Sequence, residues 1–266
     1  MIRRRIILPL VAAWTATLAS TAARATCDAP LHSLQDEGRI SAILDARTLR
    51  LDDGREIRLS GIEIPAAAGI AGTAWLRDHA LERKIALRGD DMPDRYGRQH
   101  AFVFIDGNGA TLQSALLRQG HAIVSARSGD ETCMASLKQA EVYAESSRLG
   151  VWAQPEFILD ASATDDLLKY NGRFSLVEGK ILSARQAGTV LYLNFDKRRI
   201  QGFAVTISHR MMPAFAAAGM TAATLTGRRV RVRGWISQHG GPRMEARLPG
   251  QIEFISDTRT RTAGDK

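Results

Sequence analysis

The sequence predicts a mainly β chain of the α+β type, arranged as two domains in tandem. Three observations carry that expectation. Short stretches alternate apolar and polar residues with period two, Gly- and Asp-marked turns separate them, and the balance of charge changes sign midway. At 266 residues, with 45% hydrophobic and 24% charged, the chain is long enough for two cores and too apolar for general disorder.

The first residues belong to neither domain. Met1 to Arg5 form a basic n-region, Ile6 to Ala19 an apolar run, and Ala23-Arg24-Ala25 an A-x-A cleavage site. Residues 1–25 therefore read as a secretory signal peptide. A retained anchor is the alternative, but the run falls short of the roughly 20 residues that span a bilayer and is broken by Pro9 and Trp14. The expectation is a periplasmic or secreted protein with no membrane attachment after cleavage. Cys27 and Cys133 are the only cysteines, and in an oxidising compartment such a pair invites a disulfide. No metal-ligand spacing competes for either.

Removing Arg3, Arg4, Arg5 and Arg24 takes the net charge from +8 to +4. Residues 26–158 carry 15 Lys/Arg against 19 Asp/Glu, and residues 159–266 carry 17 against 9. A polyanion is thus attracted first to the second half.

The first domain is expected over residues 30–155. Arg39 to Leu44 and Thr48 to Leu51 read as strands, Asp52-Asp53-Gly54 as a hairpin turn, and Glu56 to Ile62 as a third strand. Apolar residues from Ile70 to Leu81 fit one helical stripe within Gly69 to Lys84, with His79 on its inner flank as a core residue. Lys84 to Leu87 and His100 to Ile105 read as strands around a polar loop. Asp106 to Gly109 is a turn, Thr111 caps a helix that ends at Gly120, and a last helix covers Thr132 to Arg148.

Residues 156–167 look like a linker, overlapping a stretch from Gln154 to Asp166 that reads the same way. The second domain, over residues 168–256, repeats the pattern. Arg173 to Ala184, Val190 to Phe195 and Gly202 to Ile207 read as strands, and Arg210 to Ala218 as a short helix, with Met211 and Met212 filling core space. Arg228 to Ser237, Arg243 to Leu248 and Gln251 to Ile255 complete the set. The first five of these strands, with one helix after the third, follow the plan of an OB barrel, whose sheet face commonly binds oligonucleotides or oligosaccharides. Residues 257–266 are polar and expected to be disordered.

Four segments of the first half match a known pattern in order and spacing. They are Arg58-Leu59-Ser60-Gly61-Ile62-Glu63-Ile64-Pro65, Asp94-Arg95-Tyr96-Gly97-Arg98, Leu117-Arg118-Gln119-Gly120-His121-Ala122 and Leu149-Gly150-Val151-Trp152. On these, residues 38–153 resemble the staphylococcal nuclease family. The resemblance implies an OB barrel with added helices, and hence tandem OB-fold β-barrels for the whole chain.

It also implies calcium-assisted phosphodiester hydrolysis, with two arginines on the phosphate, aspartates on the metal and a glutamate activating water. Arg58 and Arg98 stand at the arginine positions, and structural ion pairs are their alternative reading. The carboxylates depart from the pattern. Where the family reads Asp-Gly-Asp-Thr this chain has Asp45-Ala46-Arg47-Thr48, and a guanidinium repels a cation that needs several oxygens. Glu63 replaces an aspartate, and Ala66 stands where the water-activating glutamate belongs. Loss of a positioned base alone costs about 10²–10⁴-fold in rate. The candidate catalytic residues are therefore Arg58, Arg98 and Glu63, with no metal ligand assigned and calcium required only if activity survives.

In the second half, Glu178-Gly179-Lys180, Tyr192-Leu193-Asn194-Phe195 and Arg231-Val232-Arg233-Gly234-Trp235 resemble the OB-type modules that follow nuclease-like domains in exported bacterial proteins. Period two places Arg229, Arg231, Arg233 and Trp235 on one face of their strand. Such a face suits single-stranded nucleic acid, with charge for the backbone and a ring for stacking. It suits equally a row paired with acids of the first domain. Lys197-Arg198-Arg199 would extend the basic surface. The expected function is binding of nucleic acid or another polyanion with lost or weak nuclease activity. A metal-dependent nuclease and an envelope protein-interaction module are the rivals.

Overall fold

A computed structural model describes residues 34–89, 92–105, 110–126, 131–197 and 201–255. The signal peptide, Cys27, the turn at 106–109, Arg198, Arg199 and the tail at 257–266 lie outside the described residues.

The first domain is built on a closed five-stranded barrel. Its strands are β1 (Leu34–Asp45), β2 (Thr48–Leu51), β3 (Glu56–Leu59), β5 (Lys84–Gly89) and β6 (Arg98–Ile105), in the order β1-β2-β3-β6-β5 and back to β1. All pairs are antiparallel except β3 with β6. Alternation sends Leu49, Leu51, Ile57 and Leu59 inward with Ile40 and Ile43, all buried. Thr48, Arg50, Glu56 and Arg58 are thereby left on the other face of the β2–β3 hairpin, which turns at Gly54 with a φ of 89°.

Two short strands, β4 (Ile62–Glu63) and β7 (Ile123–Val124), pair beside the barrel. Three helices pack around it: α1 (Gly69–Ala80), α2 (Leu112–Arg118) and α3 (Glu131–Ser146). The Thr111 hydroxyl caps α2 by accepting the Ser114 N–H at 3.1 Å. The inner stripe of α1 is Gly72, Leu76 and Ala80, spaced by four. Ile70 is 90% exposed, and His79 is exposed with its ring stacked 4.4 Å from Trp75, which corrects its expected place in the core. Gly120 and Gly150 both have positive φ and cross so closely that a Cβ on either would lie within 2.4 Å of a backbone oxygen. That crossing explains why two of the four matched segments contain glycine there.

The stretch expected to be a linker is structured. It holds β8 (Ile158–Asp160), parallel to β9 (Phe174–Lys180), and α4 (Thr164–Leu168). The second-domain sheet continues through β10 (Ser183–Ala187), β11 (Val190–Asn194), β12 (Ala204–Ser208), β13 (Arg229–His239) and β14 (Gly241–Glu245). Its order is β10-β11-β12-β14-β13-β9-β8, with β15 (Ile252–Phe254) also on β13. Strands β9 and β10 are separated only by Ile181 and Leu182. Counted as one bent strand, they give with β11 to β14 the same strand order as the first barrel, and among those strands β12 with β14 is again the parallel pair, β8 adding a second on β9. Two short helices, α5 (Met212–Ala217) and α6 (Ala222–Leu225), follow the third strand.

Each domain has its own apolar core, and a third cluster joins them. Ala68, Ile123, Ala144, Val151 and Trp152 of the first domain meet Leu176, with Phe157, Ile158 and Phe174 packed against them. No helix among the described residues is long and apolar enough to cross a membrane. Cys133 is buried in the first core and is not a free thiol.

Candidate functional site

A cleft of about 620 Å³ opens where the β1–β2 turn, β3, β4 and the start of α1 converge. The tight turn is fixed by Asp45, whose carboxylate accepts the Arg47 backbone N–H at 2.6 Å. The Arg47 side chain folds inward from that turn. Its Nε donates to the Leu59 carbonyl at 3.1 Å, and its Nη1 pairs with the Glu63 carboxylate. Both residues are only 8% exposed. The cleft floor is therefore an internal ion pair.

Arg58 lines the same cleft, half-buried, with Nη1 donating to the Thr48 hydroxyl at 3.3 Å. Arg98 lies on the same sheet face, since β3 and β6 pair Glu56 with Arg98 and Arg58 with His100. Its guanidinium is engaged. It donates to Asp94 at 3.0 and 2.7 Å, and its centre stands 4.9 Å from the Tyr96 ring. The Arg98 hydrogen bond, with the Tyr96 and Arg98 N–H groups and His100, holds the Asp94 carboxyl far below its ordinary range. Asp94 raises Arg98 in return, with a smaller contribution from the charge of Asp45. Of the three expected catalytic residues, the cleft lining thus includes Arg58 and Glu63, whereas Arg98 stands beside it in an ion pair.

Residues 56–154 match the family model described as Staphylococcal nuclease homologue. The first domain is staphylococcal nuclease-like. Such a domain points to nucleic-acid binding or nuclease function. None of the curated proteins searched matches the chain.

In this nuclease-like domain the donor set does not fit calcium. Among the described residues, Asp45 and Glu63 are the only carboxylates lining the cleft, and the Arg47 guanidinium is bonded to Glu63. A hard cation needs six to eight oxygens and no neighbouring positive charge. Glu63, held as the acceptor of an arginine in a buried pair, is poorly placed to take a proton from water. Ala66, also in the lining, offers no base.

The strand face expected to present Arg229, Arg231, Arg233 and Trp235 to a nucleic acid is largely covered. Helix α3 of the nuclease-like domain lies over β13, with Lys138, Glu141 and Glu145 spaced by three and four along one face. Arg231 is 5% exposed and pairs with Glu145 at 2.6 Å and Glu178 at 2.7 Å. Arg233 is 1% exposed. It donates to Glu141 at 3.0 Å, to the Val124 carbonyl at 2.8 Å and to Glu253. Lys138 bridges Glu141 and Glu253 at 2.7 Å each. Burial alone would raise Glu141, but the charges of Arg233 and Lys138 outweigh it and hold the carboxyl at about 2. These arginines serve the domain junction and present no charge to solvent. Arg229 keeps an exposed side chain 3.9 Å from Glu178.

Trp235, at the end of the row, is 45% exposed and lines the nuclease-like cleft. Gly69, Ile70, Thr73 and Arg77 of α1 also line it and form a lip from the first domain. Their spacing of three and four was the available signal for a second exposed face on that helix.

Proposed function

We propose that the protein is an exported nucleic-acid binder in which an internal ion pair has replaced the hydrolytic centre of a nuclease-like domain. The observation that carries this reading is the Arg47–Glu63 pair on the floor of a cleft whose wall retains Arg58. The Arg47 guanidinium is neutralised by Glu63, so the pair offers neither the exchangeable water nor the base that hydrolysis requires, while Arg58 keeps its positive charge for a phosphate. The n-region, apolar run and cleavage site of residues 1–25 support export, and a Cys27–Cys133 bridge suits an oxidising compartment. Alkylation of the native, non-reduced protein should find no reactive thiol.

The functional test is digestion of single- and double-stranded DNA and RNA with calcium, magnesium, manganese or EDTA, alongside gel shifts at two salt concentrations. The expected result is no cleavage and a shift that weakens steeply with salt. Metal-dependent cleavage that disappears in Arg58→Ala would overturn the loss of catalysis. Neither cleavage nor a shift would instead favour an envelope protein-interaction module.

A further inference from the structure

We propose that Trp235 of the second domain completes the cleft of the first, providing a stacking platform that selects unpaired bases. The inference rests on the nucleic-acid reading of the same cleft and adds what kind of nucleic acid it takes. Three observations support it. Trp235 borders two cavities at once, the nuclease-like cleft and a second one of about 460 Å³ lined by Phe174, Gly234, Arg247 and Gln251. A ring that divides two cavities offers surface to a chain passing from one to the other. The ring is also oriented. Phe174 sits directly opposite on β9 and meets Trp235 edge-on at 5.9 Å with an interplanar angle of 79°.

The third observation is charge. Arg58 and Arg77 line the cleft and have no acid partner among the described residues, whereas Arg47 is neutralised by Glu63. An exposed indole beside cations with no acid partner among the described residues suits a ligand that alternates anionic groups with flat rings, which is single-stranded nucleic acid. An apolar peptide would leave the guanidinium groups unmatched. A duplex would satisfy them but keeps its bases stacked on one another, away from the indole. The site exists only while the domains are docked, because the lip and the platform belong to different domains. The buried ion pairs between α3 and β13 hold that arrangement.

The test measures binding of one labelled oligonucleotide, single-stranded and as a duplex, to the full two-domain protein and to Trp235→Ala, Trp235→Leu and Trp235→Phe. Alanine substitution at a stacking ring weakens binding by roughly 5- to 140-fold. We expect a loss in that range for Trp235→Ala and Trp235→Leu on the single strand, little change on the duplex, and near wild-type binding by Trp235→Phe. Trp235→Leu keeps apolar bulk, so a folding defect in the alanine variant does not blunt the comparison. Unchanged single-strand affinity in Trp235→Leu, with Arg58→Gln still weakened, would overturn the platform and leave the cleft reading standing. If the wild-type protein binds neither form, both readings fall.

Discussion

Strand arginines occur in two regions of the chain, singly at the cleft and as an alternating row on β13, and they meet opposite fates. In the nuclease-like cleft, Arg58 keeps contact with solvent and a single weak hydroxyl partner. On β13, Arg231 and Arg233 are among the most buried polar groups of the molecule, each chelated by two glutamates. Period two specifies which face of a strand a side chain takes. What covers that face is a property of another element, here a helix from the neighbouring domain. Arginine rows are therefore weak evidence for a binding surface in any chain with a second, oppositely charged domain.

The largest expected effect attacks the buried set. Arg233→Ala leaves Glu141 and Glu253 without their main cation, and breaking such a pair from one side costs about 3–5 kcal/mol. Thermal unfolding should show it, and limited proteolysis should begin between the domains. An unchanged melting temperature would mean that the apolar cluster around Trp152 and Leu176 alone holds the junction.

Acid should act on the same network. Glu141 has an ordinary value of 4.5 and is held at about 2 in the folded protein. Between those values the unfolded chain binds the extra proton. The stabilisation is therefore present above pH 4.5 and lost as pH falls toward 2, and its size is on the order of 3 kcal/mol. Melting temperature measured from pH 5 to 2.5 should fall steeply in the wild type and less so in Glu141→Gln. Equal slopes would remove Glu141 from the account. Asp94, also depressed, contributes acid sensitivity of the same sign in both proteins.

Much of the fold was legible because local rules sufficed. Alternation delimited β2 at Thr48–Leu51, and Thr111 announced its helix through its hydroxyl. The matched segments pointed to Arg58, Glu63 and the intruding Arg47. What escaped depends on partners distant in sequence. Ile158 and Leu159 look like linker residues until β9 pairs with them, and the break at Ile181 and Leu182 separates β9, which pairs with β13, from β10, which pairs with β11. Trp235 was recognised as a stacking residue, but no local pattern states that β13 passes the mouth of another domain's cleft at that residue.

At the cleft the expected effects are smaller. Arg47→Met should lower stability by about 2 kcal/mol, since Glu63 loses its partner but remains close enough to the cleft for water to reach it. Urea denaturation would measure this. A loss as large as that of Arg233→Ala would show that the cleft pair is as structural as the junction and not tuned for a ligand.

Arg58→Gln gives the sharpest contrast because its effect on stability should be nearly nil. A half-exposed guanidinium with one long hydrogen bond contributes within about 0.5 kcal/mol to folding. Its contribution should appear instead in binding. Removing one phosphate contact lowers the slope of log affinity against log salt by about 1 and weakens binding similarly for all sequences. Titrations of a labelled oligonucleotide at several salt concentrations would read that slope directly. If it does not change while stability falls, Arg58 joins Arg231 and Arg233 as a structural cation. If it changes at constant stability, the two arginine sets are separated by function as well as by burial.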